Sequence, residues 1–266
     1  MPHIHDNIKS VTTIAVIGGG NVATHLLKAF TPIAQVHAVN PRTFEGMPAT
    51  CDVALISVKD DAVAEVASRI EGKACVVAHT SGSIPASALA NAAKRYGVFY
   101  PMQTFSKDVA LDYSTIPFFI EGCDRQTEEI LTDLARRISS NVTVADSTTR
   151  KRLHLAAVFA CNFTNRLVGI ADEILNECGL DYKAMLPLLE QTVDKLHKLS
   201  PSEAQTGPAV RNDFKVINAH LEMLDSKPRL RTLYQELTSQ IIEVASCKDD
   251  PEACNNGSPI TPEIKP

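Results

Sequence analysis

The stretch IAVIGGGNVATHLL, residues 14–27, decides the fold predicted for this chain. Residues 14–17 form an apolar run typical of a buried strand, and apolar residues resume after the glycines at the three- and four-residue spacing of a helix. Gly18 permits a tight turn, Gly20 lets a phosphate approach the backbone, and the small Ala23 lets helix and strand pack closely. The stretch therefore predicts a dinucleotide cradle, with a purely structural turn as the alternative. The predicted cradle residues are Gly18, Gly19, Gly20, Asn21 and Val22.

The end of the second apolar run, AQVHAVN at residues 34–40, bears on the choice of dinucleotide. A protein that binds NAD usually places Asp or Glu here for the ribose hydroxyls, and this chain has Asn40 instead. Arg42 and Thr43 could hold a 2′-phosphate through charge-assisted hydrogen bonds. The sequence therefore favours NADP (NADPH) over NAD, with Arg42 as an ordinary exposed charge being the alternative.

Up to about residue 145, short runs rich in Val and Ile alternate with stretches whose apolar residues have helical spacing. This pattern predicts a doubly wound, mostly parallel α/β sheet. From residue 147 the strand signal disappears and helical spacing takes over. We therefore predict domains at 1–146 (α/β) and 147–246 (all-α), followed by a flexible Pro-containing tail at 247–266. Helices within the first domain are predicted at 21–30, 60–70, 85–96 and 125–139.

Composition narrows the class of protein. The 266 residues carry a formal net charge of −5 without a long basic run, which argues against nucleic acid as a partner, and the cluster at 150–152 is interpreted as a solvated helix start. The N-terminus lacks signal-peptide order, and no apolar run approaches the roughly 18 residues of a membrane span. Seven scattered cysteines suit reduced, buried thiols. These features predict a cytoplasmic protein with no membrane contact.

Polar residues follow several predicted strands, and ligands of open α/β sheets bind outside the carboxyl ends of the strands. His79, followed by hydroxyl side chains and a glycine, could supply a proton donor, or the segment could be a capped turn. The sequence does not decide between the two. At these ends we predict cofactor contacts for Val58 and His79, catalytic roles for Ser81 and Ser83, and substrate contacts for Tyr100 and Gln103.

A row of polar residues recurs along the first helix after residue 147. Lys151, His154, Asn162 and Asn165 lie at helical spacing in an otherwise apolar segment, and such a row predicts a site lining. A hydrogen-bonded packing network is the alternative. Arg211 could clamp an anion or pair with Asp213. No metal-ligand spacing is visible, so no metal is predicted, and the long apolar helix predicts a homodimer.

Several motifs together resemble known families. GGGNVA (18–23), VNPRT (39–43) and LISVKDDAV (55–63) resemble the NADP-binding domain of pyrroline-5-carboxylate reductases and deazaflavin-dependent NADP oxidoreductases. HTSGS (79–83), YPMQTFSK (100–107), LHLAAVFACNFTN (153–165) and TGPAVRND (206–213) resemble Rossmann-like oxidoreductases whose helical part is catalogued as a domain of unknown function, within the 6-phosphogluconate dehydrogenase-like group.

This resemblance implies a Rossmann domain followed by an all-α 6-phosphogluconate dehydrogenase C-terminal-like domain for dimerisation and substrate, with the active site in the cleft between them. The implied function is NADP-dependent transfer of hydride to or from a small carbonyl, hydroxyl or imine substrate. A non-catalytic NADP(H)-binding sensor or scaffold is the alternative, and a module for another nucleotide or anion is a third. HTSGS (79–83) and Lys151 with Asn162 resemble the residues that flank the nicotinamide in hydroxyacid dehydrogenase relatives. We expect acid/base catalysis by Lys151 or His154, orientation by Asn162, contact of Ser81 and Ser83 with substrate or nicotinamide, substrate contact by Asn165, and anion binding by Arg211.

Overall fold

The fold was obtained as a computed structural model, which describes residues 11–249. The chain divides into two compact units between Val168 and Gly169, and each is described on its own. The domain boundary expected at residue 147 stays a prediction, and the predicted tail lies outside the described residues from residue 250 onward.

The first unit is built on one seven-stranded sheet in the order β2-β1-β3-β4-β5-β6-β7. Strands β1 to β5 are parallel, β6 runs antiparallel to β5, and β7 is parallel to β6. The predicted doubly wound, mostly parallel Rossmann-like sheet is therefore confirmed. The strands are β1 Thr13–Ile17, β2 Gln35–Val39, β3 Cys51–Ile56, β4 Ala74–His79, β5 Tyr96–Pro101, β6 Phe118–Gly122 and β7 Val142–Val144.

Helices cover this sheet at three of the four predicted places. They are α1 Asn21–Phe30, a 3₁₀ turn Asp60–Ala62 leading into α2 Val63–Ser68, and α3 Arg125–Arg136. The predicted helix at 85–96 is wrong, because only a short 3₁₀ turn forms at Ala86–Leu89. Its buried residues Ala86, Leu89 and Ala92 recur at intervals of three, which suits a 3₁₀ turn better than an α-helix.

The antiparallel direction of β6 follows from its connection to β5. A parallel strand needs a crossover back to the starting edge, usually an α-helix. The segment between Pro101 and Phe118 contains only the 3₁₀ turn Tyr113–Thr115, so the chain returns alongside β5 in the opposite direction.

A continuous helical segment follows β7. It comprises α4 Ser147–Ala157, a π-helical segment Val158–Phe163, and α5 Thr164–Asn176. By length and composition this helix could cross a membrane, contrary to the expectation from the apolar runs of the sequence. The core helix of a soluble protein meets the same criterion. Its apolar side chains at Leu155, Phe159 and Phe163 are 48–62% exposed in the single chain.

The second unit is entirely helical in its described part, as predicted. Ile217 and Leu221 of α8 are buried, as is Ile242 of α9, and His220 Nδ1 lies 2.9 Å from the hydroxyl of Tyr234. By contrast, α5 and α6 contain no buried residue in the single chain. Besides the end of α5, the unit contains a 3₁₀ turn Tyr182–Met185, α6 Leu186–Leu196, α7 Pro201–Ala204, α8 Phe214–Met223 and α9 Pro228–Asp249.

The cysteines differ from the expectation of reduced, buried thiols. Cys51 is buried and Cys75 half-buried, whereas Cys123, Cys161 and Cys178 are exposed, and all five are free. Cys247 is disulfide-bonded, so the expectation of a reduced thiol is wrong at that position.

Candidate functional site

The glycine-rich turn lies where the strand order of the sheet reverses, with β2 on one side of β1 and β3 on the other. Gly18 has φ +151°, and a Cβ there would lie 2.1 Å from the carbonyl oxygen of Ser57, so the neighbouring backbone leaves no space for a side chain. Gly19 and Gly20 face open space. Gly20 caps α1 without a side-chain hydrogen bond, which leaves the first N–H groups of the helix available to an anion.

A cavity of about 820 Å³ opens beside this turn. Three cationic side chains, Arg42, Lys59 and Arg69, line it with only one carboxylate, Glu65. It therefore suits an anionic ligand. Of the residues predicted from the sequence, the cavity brings together Gly19, Gly20, Asn21, Val22, Arg42 and Val58.

The loop after β2 is shaped by Asn40. Its Oδ1 accepts hydrogen bonds from the backbone N–H groups of Arg42 (2.9 Å) and Thr43 (3.3 Å). This Asx-type turn holds Arg42 at the rim of the cavity. Asn40 and Thr43 do not themselves line the cavity, so their predicted cofactor contacts stay predictions.

One face of α1 holds the segment that follows β5. Asn21 Nδ2 donates to the carbonyl oxygen of Phe105 (2.7 Å) and Lys28 Nζ to that of Lys107 (2.8 Å). Between them, the buried His25 places Nε2 2.9 Å from the carbonyl oxygen of Ser106. The segment so held begins just after Gln103, which is exposed. His25 is not among the residues predicted from the sequence, although the spacing of residues 21, 25 and 28 is a helical signal.

The HTSGS segment after β4 is a hydrogen-bonded turn. His79 is fully buried, its Nδ1 accepts from the N–H of Ser81 (3.2 Å), and its Nε2 lies 3.3 Å from the carbonyl oxygen of Pro85. Burial lowers the pKa of His79 from 6.5 to about 4, so the ring is neutral at pH 7. Ser81 Oγ accepts from the N–H groups of Ser83 and Ile84. These side chains shape the turn, and their predicted contacts with cofactor or substrate stay predictions.

Tyr100 and His154 form a pair at the end of β5. The Tyr100 hydroxyl lies 3.1 Å from Nδ1 of His154, whose ring is half-buried on α4. Burial raises the pKa of Tyr100, so its hydroxyl keeps its proton at neutral pH. Gly82 packs against the same ring, because a Cβ there would lie 2.8 Å from His154 Nδ1. The imidazole is therefore confined between a tyrosine and a glycine.

A buried ion pair fixes the start of α4. Arg150 is fully buried, pairs with Glu121 of β6, and donates from Nη2 to the carbonyl oxygen of Ile84 (2.5 Å). Ser147 Oγ donates to the same carboxylate (2.8 Å). The interpretation of residues 150–152 as a solvated helix start is therefore wrong for Arg150, because its side chain is buried. The Glu121 carboxylate compensates the buried charge. The pair joins β6, the HTSGS turn and α4 around His154.

The remaining predicted residues are exposed and lie apart in the chain. Lys151 is on α4, Asn162 in the π-helical segment and Asn165 on α5. Arg211 belongs to the second unit, before α8, and Asp213 caps that helix through the N–H of Val216 (3.3 Å). Within residues 11–249, no group of three or more His, Cys, Asp or Glu side chains could hold a metal ion.

Comparison with known proteins places these features in a family. Residues 116–241 match the model of a domain of unknown function, DUF2520. A provisionally named NADP oxidoreductase from Bacteroides fragilis is 40% identical, with 88% of this chain and 98% of that chain covered and a TM-score of 0.79. The chain belongs to the same oxidoreductase family.

More distant structures share the fold of this oxidoreductase family. A protein from Thermotoga maritima is 24% identical, with 89% of this chain and 99% of that chain covered and a TM-score of 0.70. The pyrroline carboxylate reductase of Plasmodium falciparum, with NADP bound, is 10% identical, with 90% and 100% covered and a TM-score of 0.55. A comparison with proteins of curated function finds no match.

Because His79 is buried as a neutral ring, we expect the free energy of unfolding to depend on pH. Between pH 6.5 and about 4 the unfolded chain binds a proton that the native ring excludes, so the free energy of unfolding falls as the pH falls through this window. From pH 7 to pH 5 the loss due to His79 is about 2 kcal/mol. Urea unfolding at both pH values measures it, and His79→Asn, which cannot titrate, should show a smaller difference than the wild type. Equal pH differences in the two proteins would contradict the assignment.

Proposed function

We propose that this protein is an NADPH-dependent oxidoreductase that transfers hydride between the nicotinamide and a small carbonyl, hydroxyl or imine substrate. The observation that carries the proposal is the glycine turn at the strand reversal, which opens onto a cavity lined by three cations. Membership in the family of the Bacteroides fragilis protein, whose name includes NADP oxidoreductase, supports the same function.

The residues present fit a dinucleotide phosphate. Gly18 lets β1 approach Ser57 closely, and the open faces of Gly19 and Gly20 leave the free N–H groups of α1 accessible to a pyrophosphate. Arg42 supplies the charge for a 2′-phosphate. When bound, NADPH supplies the hydride for the reaction.

Cofactor selectivity tests this assignment directly. We expect NADPH to bind more tightly than NADH, and Arg42→Ala to weaken NADPH binding at least tenfold while changing NADH binding less than threefold, because only NADPH carries the 2′-phosphate. Nicotinamide fluorescence and the thermal midpoint report the binding. Arg136→Ala, on an exposed arginine of α3, is the control. If neither nucleotide binds the wild-type protein, the proposed function is wrong.

His154 is the acid/base residue that the geometry supports best. When the Tyr100 hydroxyl donates to Nδ1, the neutral imidazole carries its proton on Nε2, so that nitrogen can donate to a substrate oxygen or nitrogen. The contact with Tyr100 fixes the orientation of the ring, and Gly82 leaves the space that the ring needs.

The other predicted roles remain part of the proposal. Lys151 is the second acid/base candidate, since it is exposed on α4 one turn before His154. The enclosure of the substrate between the two domains is expected only from the family resemblance. Asn162 is the proposed orienting residue, and the proposed substrate or nicotinamide contacts are Ser81, Ser83, Tyr100, Gln103, Asn165 and Arg211.

Turnover tests these roles once an NADPH-oxidising substrate is found in a panel of small ketones, α-keto acids and cyclic imines. We expect the double variant Lys151→Ala/His154→Ala to lose at least a hundredfold in kcat while keeping its NADPH affinity, because general acid catalysis contributes about 10²–10⁴-fold. Gly82→Ala should also lower kcat, since the added Cβ displaces the His154 ring.

Two outcomes would contradict the proposed catalytic roles or the proposed catalysis itself. Unchanged turnover in the double variant would refute the acid/base assignment. Selective NADPH binding by the wild type without turnover of any panel member would favour the non-catalytic sensor or scaffold.

The apolar faces of the long helix and of α6 support a homodimer. Phe159 is 62% exposed and Leu188 64% exposed in the single chain, although burial of such side chains stabilises a protein by about 1.5–3 kcal/mol each. A symmetric partner that covers both helices would bury these faces.

Light scattering after size-exclusion chromatography measures the assembly. We expect the wild type to elute with twice the 28.8 kDa chain mass and Leu188→Glu to shift it towards the single-chain mass. Met223→Glu, at a side chain 73% exposed on α8, is the matched control. A wild-type protein with the mass of one chain would overturn the homodimer.

A further inference from the structure

We infer that Arg69, resting on Phe44, is a platform on which the adenine ring of the cofactor stacks; this inference rests on the proposed function. Arg69 follows directly after α2, and its guanidinium carbon lies 4.0 Å from the centroid of the Phe44 ring. Its Nη1 donates to the carbonyl oxygen of Arg42 at 2.9 Å. One face and one edge of the guanidinium are therefore fixed by the protein.

The backbone conformation of Phe44 supports a specific contact between its ring and Arg69. Phe44 has φ +60°, a left-handed conformation that is uncommon and strained for a bulky side chain. The turn is closed by its own N–H, which donates to the carbonyl oxygen of Asn40 at 2.8 Å. This conformation places the ring beneath Arg69, and the cation–π contact offsets part of the strain.

Arg69 also lines the cavity beside the glycine turn, as does Arg42. With Phe44 on one face of the guanidinium, the opposite face is the one available to a ligand in the cavity. A planar guanidinium stacks on aromatic rings, and nucleobases stack on arginine in this way. The two arginines therefore bind different parts of the cofactor: Arg42 binds the 2′-phosphate, and Arg69 stacks on the adenine ring.

This division makes a distinctive prediction, because NADPH and NADH share the base and differ only in the 2′-phosphate. We expect Arg69→Ala to weaken both nucleotides by a similar factor, about five- to twentyfold, and to leave their affinity ratio unchanged, whereas Arg42→Ala lowers the ratio. Arg69→Lys keeps the charge and loses the planar face, so it should resemble Arg69→Ala. Phe44→Leu should weaken both nucleotides in the same direction, and Arg136→Ala should weaken neither.

Fluorescence titration of each variant with NADPH and NADH gives the dissociation constants, and circular dichroism confirms that each variant is folded. Affinities of Arg69→Ala within twofold of the wild type would overturn the platform. So would a loss confined to NADPH with rescue by Arg69→Lys, because Arg69 would then be a phosphate contact. Failure of the wild type to bind either nucleotide would instead overturn the proposed function, and the two failures are thus distinguishable.

Discussion

The buried ion pair between Arg150 and Glu121 is the constraint on which the candidate site depends. A charge removed from water is tolerated only when it is paired and hydrogen-bonded, and Arg150 meets both conditions through Glu121 and the carbonyl oxygen of Ile84. Because these partners belong to β6 and to the turn after β4, α4 can start in only one position relative to the sheet. That position brings His154 to Tyr100.

Most of the sheet could be predicted from the sequence, because buried strands of a parallel sheet are nearly continuous apolar runs. The direction of β6 could not, because the alternation of strands and helices does not reveal that the connection before it lacks a crossover helix. The helix predicted at 85–96 was wrong because the apolar side chains of this segment lie at intervals of three. Over a few residues this spacing suits both an α-helix and a 3₁₀ turn.

The candidate site was predictable only where local chemistry determines it. The glycine turn follows from backbone geometry at Gly18, and it was found. The burial of Arg150 was missed, since its partner Glu121 is distant in sequence and belongs to another element. The polar row from Lys151 to Asn165 assumed uniform α-helical spacing, but the π-helical segment Val158–Phe163 contains more residues per turn. Regular helical spacing therefore could not predict the angular positions of Asn162 and Asn165 relative to Lys151 and His154.

The hydrogen bonds from α1 to the segment after β5 have a consequence for sequence variation. Asn21, His25 and Lys28 bind main-chain oxygen atoms, which every amino acid possesses. The exposed side chains of Ser106 and Lys107 can therefore change without loss of these bonds, while the three positions on α1 cannot. The side chains of this segment can therefore vary while its main chain stays attached to α1, the helix that begins at the glycine-rich turn.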